Sequence, residues 1–229
     1  NALEIEADNP HTWYYKGRAH LALGNPEEAV AAFDRALSID PEFGEAYYLR
    51  GTSLFLLKEY GKASDAFVQA LEFLPGDPEI HLQNGRSLFA LGAYDRAQES
   101  FEAVLTIERS HPAALYGRAR SLDCLGDLNN AVAAYSLVIR AQPDCDRAHY
   151  YKGVCLARLN QHAPAIASFQ KSLEINPASV RGWLSQGESL FALARFEEAV
   201  VSFDRVIELA PDDPKQAILK GRSLFRLER

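Results

Sequence analysis

The chain has 229 residues, 48% of them apolar and 24% charged, with a formal net charge of −7. It contains no run of about 18 apolar residues, which excludes a membrane-spanning helix, and an acidic balance with pI near 5.4 argues against a nucleic-acid binder. The N-terminal stretch lacks the basic-then-apolar layout of a secretory leader, so a soluble, cytoplasmic protein is expected.

In chain order, the first element is a fragment. Ala2-Leu3-Glu4-Ile5 matches Ala36-Leu37-Ser38-Ile39, 34 residues later, so residues 1–9 read as the end of a preceding repeat. From Pro10 the 34-residue period runs without insertion, giving six complete units: 10–43, 44–77, 78–111, 112–145, 146–179 and 180–213. Residues 214–229 then read as the first helix of a truncated seventh. Both ends thus cut through a repeat, and the chain is expected to be a piece of a longer protein.

Within 10–43, Trp13, Gly17, His20 and Leu23–Gly24 lie on a helical period. Asn25-Pro26-Glu27-Glu28 reads as a turn and helix start, and Ala29, Phe33, Ala36 and Leu37 form a second stripe that Asp40-Pro41 ends. Each unit is therefore predicted to be helix, turn, helix, turn, with helices of about 14 residues and about 21 Å. We number places within a unit from its first residue.

Small residues carry the packing. Place 20 is alanine in all six units (Ala29, Ala63, Ala97, Ala131, Ala165, Ala199) and place 24 is aromatic (Phe33, Phe67, Phe101, Tyr135, Phe169, Phe203). Place 8 is Gly17, Gly51, Gly85, Gly153, Gly187 and Gly221, with Ala119 in the fourth unit. Glycine against alanine lets two helices approach closely while the aromatic fills the next gap. Pro41, Pro75, Pro143, Pro177 and Pro211 end the second helices. Arg109 replaces proline in the third unit, where Pro112 stands three residues on, so that turn is expected to differ.

These residues resemble the tetratricopeptide repeat, with its 34-residue W-x₂-L-G-x₂-Y…A-x₃-F…P pattern, over essentially the whole chain. The resemblance implies an all-α fold: an α-solenoid, a right-handed superhelix of stacked helix-turn-helix units. It also implies a concave groove, lined by the first helices, that holds a segment of a partner. One departure is systematic: the family's leucine before the glycine is here Lys16, Arg50, Asn84, Arg118, Lys152, Gln186 and Lys220. Two readings fit, long side chains whose stems cover the core edge with heads in water, or a polar ladder along the edge of the groove.

In the first helix of each unit, places 4, 8 and 11 form the core stripe, and places 2, 5, 9, 12 and 13 form a second stripe about 100° away. That second stripe is expected to line the groove. Tyr14, Tyr48, Tyr116 and Tyr150 share place 5; Arg18, Arg86, Arg120 and Arg222 share place 9; Phe55, Phe89, Phe191 and Phe225 share place 12. Arg147 and Arg181 occupy place 2. The first 14 places of all seven copies hold 14 of the 24 Lys and Arg but only 5 of the 31 Asp and Glu, a local balance of +9 within a chain of −7. A basic, aromatic inner wall and an acidic back follow.

The expected function is a non-catalytic protein–protein interaction scaffold binding an extended acidic and apolar peptide segment. The peptide-binding residues are Tyr14, Arg18, Tyr48, Phe55, Arg86, Phe89, Tyr116, Arg120, Arg147, Tyr150, Arg181 and Phe191. Aromatic faces take apolar side chains and arginines pair with carboxylates, with affinity on the order of micromolar because ordering the segment costs entropy. Members of the family that clamp chaperone tails use lysine and asparagine where this chain has Tyr14 and Arg18, which argues against that ligand. The asparagine ladder of the family's sugar-transferring enzymes is also missing, since Asn84 is the single asparagine of the first helices.

Two other readings stand beside this one. The basic-aromatic stripe could stack the bases of a single-stranded nucleic acid, or the array could be the targeting arm of an enzyme whose catalytic domain lies elsewhere. Within the chain no HExxH, GxSxG, phosphate loop or dinucleotide fingerprint occurs, so no catalytic residue, metal or cofactor is expected. His20, His81 and His149 fall on the core stripe and read as core histidines. Cys124, Cys145 and Cys155 form no CxxC pair and read as inert in a reducing compartment. The cut ends, with Leu3 and Ile5 at one and Leu224 and Phe225 at the other, expose apolar stripes open to self-association.

Overall fold

The computed structural model describes residues 9–211. Residues 1–8 and 212–229 lie outside the described residues, and with them fall the expectations for the leading fragment's Leu3 and Ile5 and for the truncated seventh repeat with Lys220, Arg222 and Phe225. Among the described residues there are twelve helices and no strand, so the fold is all-α. They come in pairs: α1 (Pro10–Ala22) with α2 (Pro26–Ile39), α3 (Gly44–Leu56) with α4 (Tyr60–Phe73), and α5 (Pro78–Leu91) with α6 (Tyr94–Ile107). The remaining pairs are α7 (Pro112–Leu125) with α8 (Leu128–Ala141), α9 (Asp146–Arg158) with α10 (His162–Ile175), and α11 (Val180–Ala192) with α12 (Phe196–Leu209). First helices start at residues 10, 44, 78, 112, 146 and 180, each 34 after the last.

Contacts divide the chain into two units, Asn1–Ser121 and Leu122–Arg229. In the first unit, helices α1 to α6 each pack on the next in sequence, and α8 to α12 do the same in the second. Successive first helices also touch, α1 with α3, α3 with α5, and α9 with α11. Each unit is a solenoid in this sense: neighbours supply the burial that no pair achieves alone.

The core is the one the period marks out. All six place-20 alanines are 0% exposed, and the place-24 rings are between 0% and 2%. The steric reason is direct. A Cβ added at Gly17, Gly51, Gly85, Gly153 or Gly187 would lie 2.5–2.8 Å from a ring carbon of its own repeat's Phe. Each buried ring is worth about 1.5–3 kcal/mol relative to exposure, so these contacts outweigh surface ion pairs of about 0–1 kcal/mol.

The turn inside each pair rests on one backbone conformation. Gly24, Lys58, Gly92, Gly126, Asn160 and Ala194 all have positive φ, between 59° and 87°, at the same place of the repeat. The left-handed residue lets the chain reverse after the helix C-terminus. Gly24 therefore belongs to the turn and not to the helical stripe, since α1 ends at Ala22.

The turn between pairs corrects an expectation. α6 ends at Ile107 and its cap Glu108 has φ −125° and ψ 87°. The proline-bearing turn after α8 has nearly the same cap, Gln142 at −139° and 85°. Arg109 leaves the geometry unchanged because the reversal is fixed by backbone hydrogen bonds, His111 N–H to Glu108 O at 3.0 Å matching Cys145 N–H to Gln142 O at 3.2 Å.

The histidine expectation is also revised. His81 and His149 are half-buried, and their Nε2 atoms lie 3.2 Å and 3.0 Å from the carbonyls of Pro75 and Pro143. Trp183, at the same place of its repeat, donates Nε1–H to Pro177 O at 2.8 Å. Place 4 thus supplies ring N–H groups that satisfy the carbonyl of the turn six residues earlier, a structural task at the edge of the core.

Candidate functional site

Four of the polar residues that replace the family's leucine turn toward second helices, while Lys16 lies over the ring of Trp13 on its own helix. Arg50 pairs with Asp34 at 2.5 Å and Arg118 with Glu102 at 2.9 Å, each reaching the second helix of the preceding pair. Asn84, 6% exposed, accepts from Ser64 Oγ at 2.7 Å and donates to Ser100 Oγ at 3.4 Å. Gln186, 5% exposed, accepts from Ser202 Oγ at 3.2 Å. At these four places the departure from leucine stitches helices together, and the second stripe is the candidate site.

In the first unit that stripe builds a cleft of about 350 Å³. Phe55 on α3, Arg86 and Phe89 on α5, and Tyr116 and Arg120 on α7 line it. All five were expected on the binding stripe, and the 34-residue register brings them to one place from three repeats. Phe101, Ala113 and Gly117 complete the walls, and sequence reasoning missed all three as site residues. Gly117 has a steric role here, because a Cβ on it would meet the Phe101 ring at 2.5 Å. The signal was available: place 6 holds Tyr15, Leu49, Gln83, Tyr151 and Ser185 in the other repeats, and only here glycine.

The walls are preorganised. Phe55 and Phe89 each rest edge-on or tilted against the tyrosine that opens the following helix, Tyr60 at 5.3 Å and Tyr94 at 5.2 Å between centroids. The Arg120 guanidinium lies 5.7 Å from the centre of the Phe89 ring, within cation–π range. Arg86 is exposed at the cleft. Loss of hydration, and then Glu79, push the neighbouring Tyr48 phenol above its ordinary value, with Arg86 acting in the opposite sense. An apolar floor under two guanidinium groups can accept an apolar or aromatic side chain flanked by carboxylates.

The other expected residues lie elsewhere. Tyr14 packs on Phe43 and Phe33, and Arg18 lies over the rings of Tyr14 and Tyr15 at 5.6 and 5.7 Å, a separate cluster at α1. Tyr48 is half-buried against Phe67. In the second unit Tyr150 packs on Phe169 and Tyr151, and Phe191 on Phe196, while Arg147 and Arg181 are exposed at the starts of α9 and α11. None of these four lines the two clefts described below for this unit.

A cleft of about 290 Å³ does occupy the equivalent place between α9 and α11. Two periods on, Arg86 becomes Val154, Phe89 becomes Ala157, Phe101 becomes Phe169 and Arg120 becomes Glu188. The arginines of this row therefore give way to Val154 and Glu188 in α9 and α11. Loss of hydration pushes the Glu188 carboxyl above its ordinary value. A wider cleft of about 560 Å³ on the second-helix side holds Trp183 and Gln186, whose polar groups serve the contacts already described. Among the described residues no cluster of His, Cys, Asp or Glu is arranged to hold a metal ion, and no helix is long and apolar enough to cross a membrane.

A family model of the tetratricopeptide repeat matches residues 9–78, 82–138, 119–180 and 165–214. No curated protein matches the chain in sequence. Among solved structures it is similar to YrrB, a TPR protein with an unusual peptide-binding site, at TM-score 0.73 and 22% identity over 79% of this chain and 93% of that one. MamA from Desulfovibrio magneticus RS-1 gives 0.71 and 23% over 75% and 97%, respectively. PilF of Pseudomonas aeruginosa gives 0.69 and 15% over 96% and 97%. At these identities the likeness bears on the fold.

Proposed function

The chain belongs to the tetratricopeptide repeat family, and from that premise we propose that it is a protein–protein interaction scaffold binding an acidic partner segment with an apolar anchor. The observation that carries this reading is the cleft of the first unit, where Phe55, Arg86, Phe89, Tyr116 and Arg120 converge from three repeats. The anchor side chain enters between Phe55 and Phe89, and flanking carboxylates meet the two guanidinium groups, which suit carboxylate geometry. The peptide-binding site in the description of YrrB supports a peptide as the ligand class. No step of chemistry is assigned to the chain, which acts by holding its partner.

A peptide array with one aromatic residue among aspartates and glutamates tests this, read by fluorescence anisotropy on the purified chain. Binding on the order of micromolar, about −8 kcal/mol, is expected. The Arg86→Glu, Arg120→Glu double variant is expected to weaken it at least tenfold, with circular dichroism unchanged because both side chains lie off the core. Equal affinity of the double variant and the parent would overturn the assignment.

A further inference from the structure

The second cleft has lost what makes the first one basic and has gained a carboxylate. Its floor is apolar, formed by Val154, Ala157 and Phe169, and Glu188 stands exposed at its mouth. Arg158 also borders it, but its guanidinium is held 2.7 Å from Asp123, whose side chain is 8% exposed, so that positive charge is already matched. Glu188 has no ion-pair or hydrogen-bond partner among the described residues. The Nδ1 atom of His162, which lines the cleft, is buried and without a hydrogen-bond partner. A carboxylate at the mouth of an apolar cleft, with no cation of the described residues to meet it, favours a ligand that brings a positive charge on an apolar stem.

We infer that this cleft receives a lysine side chain of a partner protein. The aliphatic stem runs along Val154, Ala157 and Phe169, as lysine stems do on apolar surface. The ammonium group, with three donors and no acceptor, meets the Glu188 carboxylate at the mouth. A carboxylate-bearing ligand fails here, because Glu188 repels it and the arginines of the first cleft are replaced. The inference stands apart from the reading of the first cleft, since the two share no residue.

The test uses the full chain, uniformly labelled, and NMR titration with N-acetyl-lysine methylamide and a short Leu-Lys-Leu peptide. The same peptide with norleucine or glutamate in place of lysine serves as the control. Shifts at Val154, His162 and Glu188 with the lysine probes, and a preference of at least fivefold over norleucine, are expected. Glu188→Gln should remove that preference while melting no lower than the parent at pH 7. Val154→Arg, which installs the residue found at this place in α5 and α7, should abolish binding of the lysine probes by repulsion. Equal binding of lysine and norleucine, an unaltered lysine affinity in Glu188→Gln, or shifts confined to other helices would each overturn the inference.

Discussion

Ala194 carries φ of +59°, in a region where an L side chain crowds its own backbone. Three of its five counterparts, Gly24, Gly92 and Gly126, avoid the strain, and nothing lies within 4 Å of where their Cβ atoms would be. The cost at Ala194 is therefore one of backbone conformation and not of crowding by neighbours. Ala194→Gly relieves about 1 kcal/mol of it, less the entropy of a freer unfolded chain. Thermal and urea unfolding should show a small gain in stability for Ala194→Gly and a loss of similar size for Gly92→Ala. If Ala194→Gly destabilises, the turn does not store that strain. Neither Lys58 nor Ala194 could be read as left-handed from sequence, because both residues favour helix and only the register exposes them. The buried alanines and aromatics were legible for the opposite reason, since one steric requirement recurs at one place in every repeat.

At the scale of the helix, proline proved a weaker determinant than the polar contacts around it. α6 ends where its counterparts do although Arg109 stands in the proline position. The turns share backbone hydrogen bonds, and three of them gain a ring N–H from the helix that follows. Periodicity put His81 and His149 on the core stripe, but it could not show that their ring nitrogens reach a carbonyl six residues back. Trp183 is the cleanest place to weigh that contact, because indole N–H is a donor with no tautomer to choose. Trp183→Phe keeps most of the apolar surface and leaves Pro177 O without its donor, a loss of about 1 kcal/mol. Chemical denaturation should show that loss, with hydrogen-exchange protection reduced chiefly at the start of α11. A variant as stable as the parent would mean that water serves the carbonyl equally well. The same limit of periodicity explains the site. It put Phe55, Arg86, Phe89, Tyr116 and Arg120 on one stripe, which the first cleft brings together, and it put Arg147, Tyr150, Arg181 and Phe191 on the same stripe, which do not line the cleft between α9 and α11.

At the scale of the molecule, an unbroken period with packing between sequence neighbours makes stability a sum of local terms. The ends of first-helix turns are interchangeable as well: the cap of α9, Cys145, has φ −79° and ψ 91°, and that of α11, Ser179, has −74° and 94°. Deleting residues 145–178 removes one full 34-residue period and joins Asp144 to Ser179. The junction retains the Ser179 hydroxyl that accepts from Gly182 N–H at 3.1 Å. Helix α11 then meets α8 in the register that α9 had, with Ser185 replacing Tyr151 beside Tyr135. The stacked Tyr135–Tyr151 pair, 6.0 Å between centroids, is the contact that is lost without replacement. The shortened chain should keep its helical ellipticity per residue and unfold cooperatively. Its urea m-value should fall in proportion to the residues removed, because m follows the surface exposed on unfolding. Binding at the first cleft should be unchanged, since every residue lining it precedes Leu122. Binding of lysine probes should vanish with Val154, Ala157, His162 and Phe169. A deletion variant that loses helix out of proportion would show that stability depends on contacts beyond nearest neighbours, and local addition could not then describe the array.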